Sequence, residues 1–187
     1  KKLKAEGLFA PERKRSVPYP PENICVITSV GSAAHADFMK ISAARWPAMK
    51  IDVLDSLVQG ADAPGQIARR VEEVNAGGTM YDALVVIRGG GSAEDLATFS
   101  DERVVRALAA SRIPTCVAIG HEVDESLAEL VCDLRASTPS NLAELLVPDR
   151  TSEQAWLAAH RTRTTLVLSA AVERAKEQLV AARVHVG

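Results

Sequence analysis

Strand-like and helix-like stretches alternate four times between residues 23 and 120, and that rhythm constrains the fold more than any other feature of the chain. Residues 23–29, "NICVITS", are short, β-branched and nearly continuously apolar, as a strand covered on both faces must be. A helix is expected over residues 32–45, opened by Ser32 as N-cap and closed before Pro47. Residues 50–57 read as the second strand. Residues 64–75 read as a helix with Pro64 in its first turn and Gly77–Gly78 past its end, and residues 82–87 as the third strand. Helix returns over residues 101–110, and "IPTCVAIG", residues 113–120, makes the fourth strand. No two of these strands are joined by a two-residue turn, so hairpins are not expected. The expected fold class is α/β, a mainly parallel sheet flanked by helices, which places ligands beyond the carboxyl ends of the strands.

Three segments follow from this pattern. Residues 1–21 are basic and then proline-rich, an arm or linker in which Pro18, Pro20 and Pro21 exclude helix. Residues 22–150 form the α/β domain. Residues 151–187 lack proline and, before the final Gly187, glycine, and predict one long helix started by a capping box of Thr151 and Gln154. Leu168, Val172, Ala175, Leu179, Ala182 and Val186 alternate spacings of four and three, the rhythm of a coiled-coil seam; an amphipathic helix lying back on the domain has the same signature over so short a run. The opening "KKLKAEGLF" and the close "ARVHVG" suggest a piece of a longer chain.

Composition narrows the partners. Of 187 residues, 47% are apolar and the formal net charge is -2, so the overall balance announces neither nucleic acid nor membrane, and any polyanion must be met by local positive charge. No apolar stretch reaches the ~20 residues of a membrane span. Cys25, Cys116 and Cys132 are odd in number, sit among apolar neighbours and contain no CxxC pair. They read as buried, inert thiols and point to the reducing cytoplasm.

The segments following three strands fall on one edge of such a sheet. After the first comes "TSVGSAAHAD", after the third "RGGGSAEDL", after the fourth "GHEVDES". Asp37, Arg88, His121 and Asp124 are therefore expected to converge on one crevice. Gly89, Gly90 and Gly91 expose successive backbone N–H groups and Ser92 suits the N-cap of a following helix, which together make an anion seat. The loop lacks the lysine of a Walker A motif and the spacing of a dinucleotide fingerprint. Arg88 adds a planar fork suited to phosphate oxygens, although an ion pair with Asp95 is an alternative use. Glu94 and Asp95 suit the first turn of a helix. His121 and Asp124, three apart, have the makings of an oriented general acid or base, or of a backbone-bonded histidine at a strand end. With Asp37 they are also an oxygen-rich set that suits magnesium or manganese.

"ICVITS", "VQG", "LVVIRGGGSAEDL", "IGHEVD" and "DLRASTPSNLAELLVPD" occur in the order and approximate spacing of the large subunit of bacterial exonuclease VII, which the chain resembles over about residues 1–150. That family joins an N-terminal OB-fold that grips single-stranded DNA, a central nuclease domain and a long coiled-coil region that carries small subunits. The present chain resembles the central domain and the first part of the helix. The resemblance implies phosphodiester hydrolysis in single-stranded DNA with release of oligonucleotides, and maps family functional residues onto Asp37, Arg88, His121 and Asp124. It also implies that no cofactor is required and that a divalent metal is not expected. The partners it implies are single-stranded DNA and a small subunit held through the C-terminal helical region; the seam also suits self-association. Ala97, Ser100 and Val123 depart from the family pattern, which touches substrate stacking and supporting hydrogen bonds. Two other readings of the residues stay open: a domain that binds a phosphorylated metabolite without cutting, and a scaffold inactive without its partner.

Overall fold

A computed structural model describes residues 2–89, 97–120 and 125–184, with side chains described as far as Leu179. The chain divides into two compact units, residues 1–148 and 149–187.

In the first unit, β1 (Asn23–Thr28), β2 (Lys50–Asp55), β3 (Ala83–Ile87), β4 (Thr115–Ala118) and β5 (Leu134–Arg135) pair in the order β2-β1-β3-β4-β5, every neighbour parallel. The expected α/β class is thus what the chain adopts. α1 (Lys2–Ala5) precedes the sheet, α2 (Ala33–Arg45), α3 (Ala63–Ala76), α4 (Glu102–Ala110) and α5 (Leu127–Val131) connect its strands, and α6 (Pro139–Leu146) follows β5. The central strands are buried at every residue of β3 and β4, because helices cover both faces. β2 lies at the edge and alternates between exposed and half-buried, which is why it tolerates Lys50, Asp52 and Asp55.

The two-residue period of the strands builds two cores. On one face Cys25, Ile27, Leu84, Val86 and Val117 meet Ile67 and Val71 of α3 and Val104 and Leu108 of α4. On the other, Ile24, Val26, Val85, Ile87 and Cys116 meet Phe38 of α2 and Leu142 and Leu146 of α6. Each such side chain, fully buried, contributes about 1.5–3 kcal/mol of transfer free energy.

Local signals act where the sequence places them. The Ser32 hydroxyl accepts from His35 N–H at 3.2 Å and starts α2, while Asp101 accepts from Arg103 N–H at 2.8 Å and starts α4. Three features went unanticipated. β5 has only two residues and no apolar run, and it exists because Cys116 and Val117 offer an open edge to Leu134 and Arg135. α5 and α6 fall in a stretch to which the sequence reading assigns no element, although both carry start signals. Ser126 and Glu129 form a capping box, and Thr138 accepts from Asn141 N–H ahead of Pro139.

The basic arm is docked on the domain. Arg15 reaches Asp133 at 2.8 Å and donates to the Ser111 and Ile113 carbonyls at 2.8 and 3.2 Å. Arg13 donates to the Ala109 carbonyl, Lys2 meets Glu102, and Glu6 meets Arg106. Part of the arm's positive charge is therefore matched by the domain itself.

The second unit is α7 (Arg150–Val184), 35 residues long. Its start differs from the expected capping box at Thr151. The Asp149 carboxylate accepts from the Thr151 and Ser152 N–H groups at 2.9 and 3.0 Å, so Asp149 is the cap and Thr151 the second helical residue. An aspartate fills that role better because it also complements the helix dipole. Trp156, Leu157, Leu166, Leu168, Val172 and Leu179 are all more than half exposed.

Candidate functional site at the carboxyl edge of the sheet

The strand order reverses direction between β1 and β3: the chain runs outward from β1 to β2 on one side and from β3 to β5 on the other. In an open α/β sheet that is where connections leave to opposite faces and a crevice opens beyond the strand ends. Thr28 at the end of β1 and Arg88 just past β3 flank it.

Arg88 N–H donates to the Ala118 carbonyl at 3.1 Å, so the ladder between β3 and β4 continues one residue past the strand and fixes the Arg88 backbone. The residue is 1% exposed, the largest side chain so deeply buried among the described residues. A guanidinium stays charged at any working pH, and removing it from water costs several kcal/mol before compensation. Sheltered from water, it also attracts an oxyanion more strongly than a surface arginine does.

Gly89 lies against the start of α2. A β-carbon built on it would stand 3.7 Å from Ala34 Cβ and 3.9 Å from Ala34 N. The end of β3 and the positive end of the α2 dipole are thus adjacent across the switch point. Next to it, Gly31 at φ +84° turns the chain between β1 and α2 in a conformation that suits glycine. The Gly31 N–H donates to His35 Nδ1, and the Val30 N–H donates to Asp55 Oδ1. The first turn is therefore braced from α2 and from β2.

Of the residues expected to converge, Arg88 and Gly89 stand at the crevice. Asp37 lies on α2, one turn beyond its start, and is exposed. Gly90, Gly91, Ser92, Glu94, Asp95, His121 and Asp124 lie outside the described residues. Among the described residues no three His, Cys, Asp or Glu side chains are grouped to hold a metal ion.

Sequence reasoning overlooked Thr28, whose buried hydroxyl has no hydrogen-bond partner among the described residues. Its signal was visible: a polar residue ending an otherwise apolar strand, just ahead of the crevice. The three cysteines are buried as expected, and burial pushes the Cys25 and Cys132 thiols up to about 12 and the Cys116 thiol higher still, which disfavours the thiolate a nucleophile needs.

A cavity of about 530 Å³ lies elsewhere, between α3 and α4, lined by Gly65, Ala68, Val71 and Ala107 with Arg69, Arg103 and Arg106 at its rim. Arg103 is paired with Asp101, and Arg106 with Glu6 and Glu102, so two of those three cations are already neutralised. The cavity does not touch Arg88 or Gly89.

The fold is a doubly wound parallel α/β domain with a buried arginine and a glycine-bearing turn at its switch point, the place where such sheets open a ligand crevice. The chain belongs to the exonuclease VII large subunit family, described as "Exonuclease VII, large subunit", which it matches over residues 8–186. It is 44% identical over 188 residues to the exodeoxyribonuclease 7 large subunit of Xanthomonas oryzae pv. oryzae (strain KACC10331 / KXO85), covering 98% of this chain and 42% of that protein. It is 45% identical over 172 residues to the exodeoxyribonuclease 7 large subunit of Mycobacterium tuberculosis (strain ATCC 25177 / H37Ra), covering 92% and 41%. The chain thus spans about two-fifths of the length of the curated relatives it matches. Among the described residues no helix is long and apolar enough to cross a membrane.

Proposed function

We propose that this chain carries the catalytic domain of an exodeoxyribonuclease that hydrolyses phosphodiester bonds in single-stranded DNA, working with a small subunit in the cytoplasm. The observation that carries the reading is Arg88: an almost wholly buried arginine whose backbone is held by the β3–β4 ladder at the switch point, in a chain of this family. In this scheme Arg88 and the amides of Gly89, Gly90 and Gly91, with Ser92, hold the scissile phosphate and stabilise the charge that builds on its oxygens. His121 moves the proton, oriented by Asp124 or by Asp37. Binding rests on backbone and stacking, so sequence readout is not part of the scheme.

No divalent ion is needed for this chemistry, since a guanidinium and a row of amides supply the positive potential that a metal would otherwise bring. The small subunit is assigned to the C-terminal helical region, where α7 exposes Leu168, Val172 and Leu179 on one seam.

The test is a gel assay of the full-length protein with its small subunit on end-labelled single-stranded DNA. Release of short oligonucleotides is expected. Tight binding of nucleoside phosphates with no cleavage would instead make this a metabolite-binding domain.

A further inference from the structure

α7 carries two stripes. Leu168, Val172, Ala175 and Leu179 follow the four-three seam, but extending that rhythm back from Leu168 lands on Thr165, Arg161, Ala158 and Gln154, so the seam begins at Leu168. Trp156 is not on it. At about 100° per residue, Trp156, His160 and Arg163 cluster on a line rotated by about 120° from the seam, and the same four-three spacing continues through Val167 and Ala170 to Arg174. The first three members of that second stripe are aromatic or cationic, and Val167 and Ala170 beyond them are apolar.

Trp156 is 55% exposed and its ring stacks on His160, centroids 3.9 Å apart and planes 30° from parallel. His160 is itself fixed, its Nδ1 lying 3.0 Å from the Trp156 carbonyl oxygen. The indole is therefore held in one orientation by its neighbour while more than half the residue meets water. Charge favours one kind of partner. From Gln154 to Val172 the helix has no acidic residue, against Arg161 and Arg163. A hydrophobic helix would find Arg161, Thr165 and Gln154 at the seam positions here, whereas a polyanion with flat bases finds a fixed ring beside cations.

We propose that the Trp156–His160–Arg163 face of α7 is a base-stacking platform for single-stranded DNA, separate from the chemistry at Arg88 and from the seam beginning at Leu168. The inference rests on the nuclease reading. Trp156 stacks on a base, and Arg163, about two turns further along the helix, meets a phosphate of the same strand.

The test uses the full-length protein with its small subunit and a cleavage-resistant phosphorothioate oligothymidylate. Trp156→Ala should weaken binding about ten-fold, in line with the loss of one stacked base, while Trp156→Phe stays close to the parent protein. An oligonucleotide carrying 5-iodouracil should crosslink to Trp156 on irradiation, read by mass spectrometry. Alanine keeps the helix, and circular dichroism with small-subunit co-purification checks that the assembly is intact. Unchanged affinity in Trp156→Ala with no adduct at Trp156 overturns the platform while leaving the nuclease reading untouched. Loss of small-subunit capture or of self-association with DNA affinity unchanged also overturns it, making this a protein-docking face. Failure of the parent protein to bind the oligonucleotide at all removes the nuclease reading and this inference together.

Discussion

Gly89 sits within ordinary van der Waals reach of Ala34, which brings the end of β3 against the first turn of α2 across the switch point of the sheet. The missing side chain is not demanded by crowding, because the nearest atoms to an added β-carbon stand at 3.7 and 3.9 Å. The space it leaves lets another group approach the backbone.

Gly89→Ala should therefore fold, with a stability change of about 1 kcal/mol or less, yet lose most cleavage if a phosphate needs the backbone there. Thermal unfolding and single-turnover cleavage of the same variant check both halves. A fully active Gly89→Ala enzyme would remove the glycine from the site.

Asp133 governs the docking of the arm. Its side chain is 4% exposed and accepts from Arg15 Nη2 at 2.8 Å and from Thr115 N–H at 2.6 Å. Burial works to raise its pKa, but the hydrogen bonds from Arg15 and Thr115 and the arginine charge outweigh it and hold the carboxyl below the usual range. A depressed folded pKa means stability that is present above the unfolded value near 3.9 and is lost as pH falls through the folded one. Asp133→Asn should cost about 2 kcal/mol, less than a fully buried pair because Arg15 is partly in water, and should flatten the acid limb below about pH 4. Denaturant melts from pH 2 to 7 read both.

The fold was legible because burial on both faces writes itself as continuous apolar runs: β1, β3 and β4 lie within the stretches 23–29, 82–87 and 113–120 that the sequence predicts. β5 was not legible, since a two-residue strand is defined by its neighbour's open edge rather than by its own residues. The cap of α7 was misplaced because Thr151 and Gln154 have the right spacing, while Asp149, two residues earlier, has the stronger acceptor. At the site, the positions of Arg88 and Gly89 follow from strand ends, but the depth of Arg88 does not, because burial of a single cation depends on tertiary cover.

The seam on α7 predicts self-association or partner capture. Removing residues 165–187 should abolish small-subunit capture by the full-length protein, read as mass in solution. Unchanged capture would place the partner elsewhere.

Metal independence is a separate expectation. Cleavage by the complete enzyme should survive exhaustive EDTA treatment; loss of activity with recovery on magnesium would turn Asp37, His121 and Asp124 into ligands.

The central claim, that the crevice at Arg88 is a hydrolytic phosphate site with His121 as its proton-transfer group, is tested most directly by single-turnover cleavage and DNA binding measured together on two variants of the complete enzyme. His121→Ala should cut about 10²–10⁴-fold more slowly while binding DNA almost as before. Arg88→Lys should also lose turnover, because an ammonium cannot reproduce the bidentate fork. Near-normal cleavage in both variants would contradict the account.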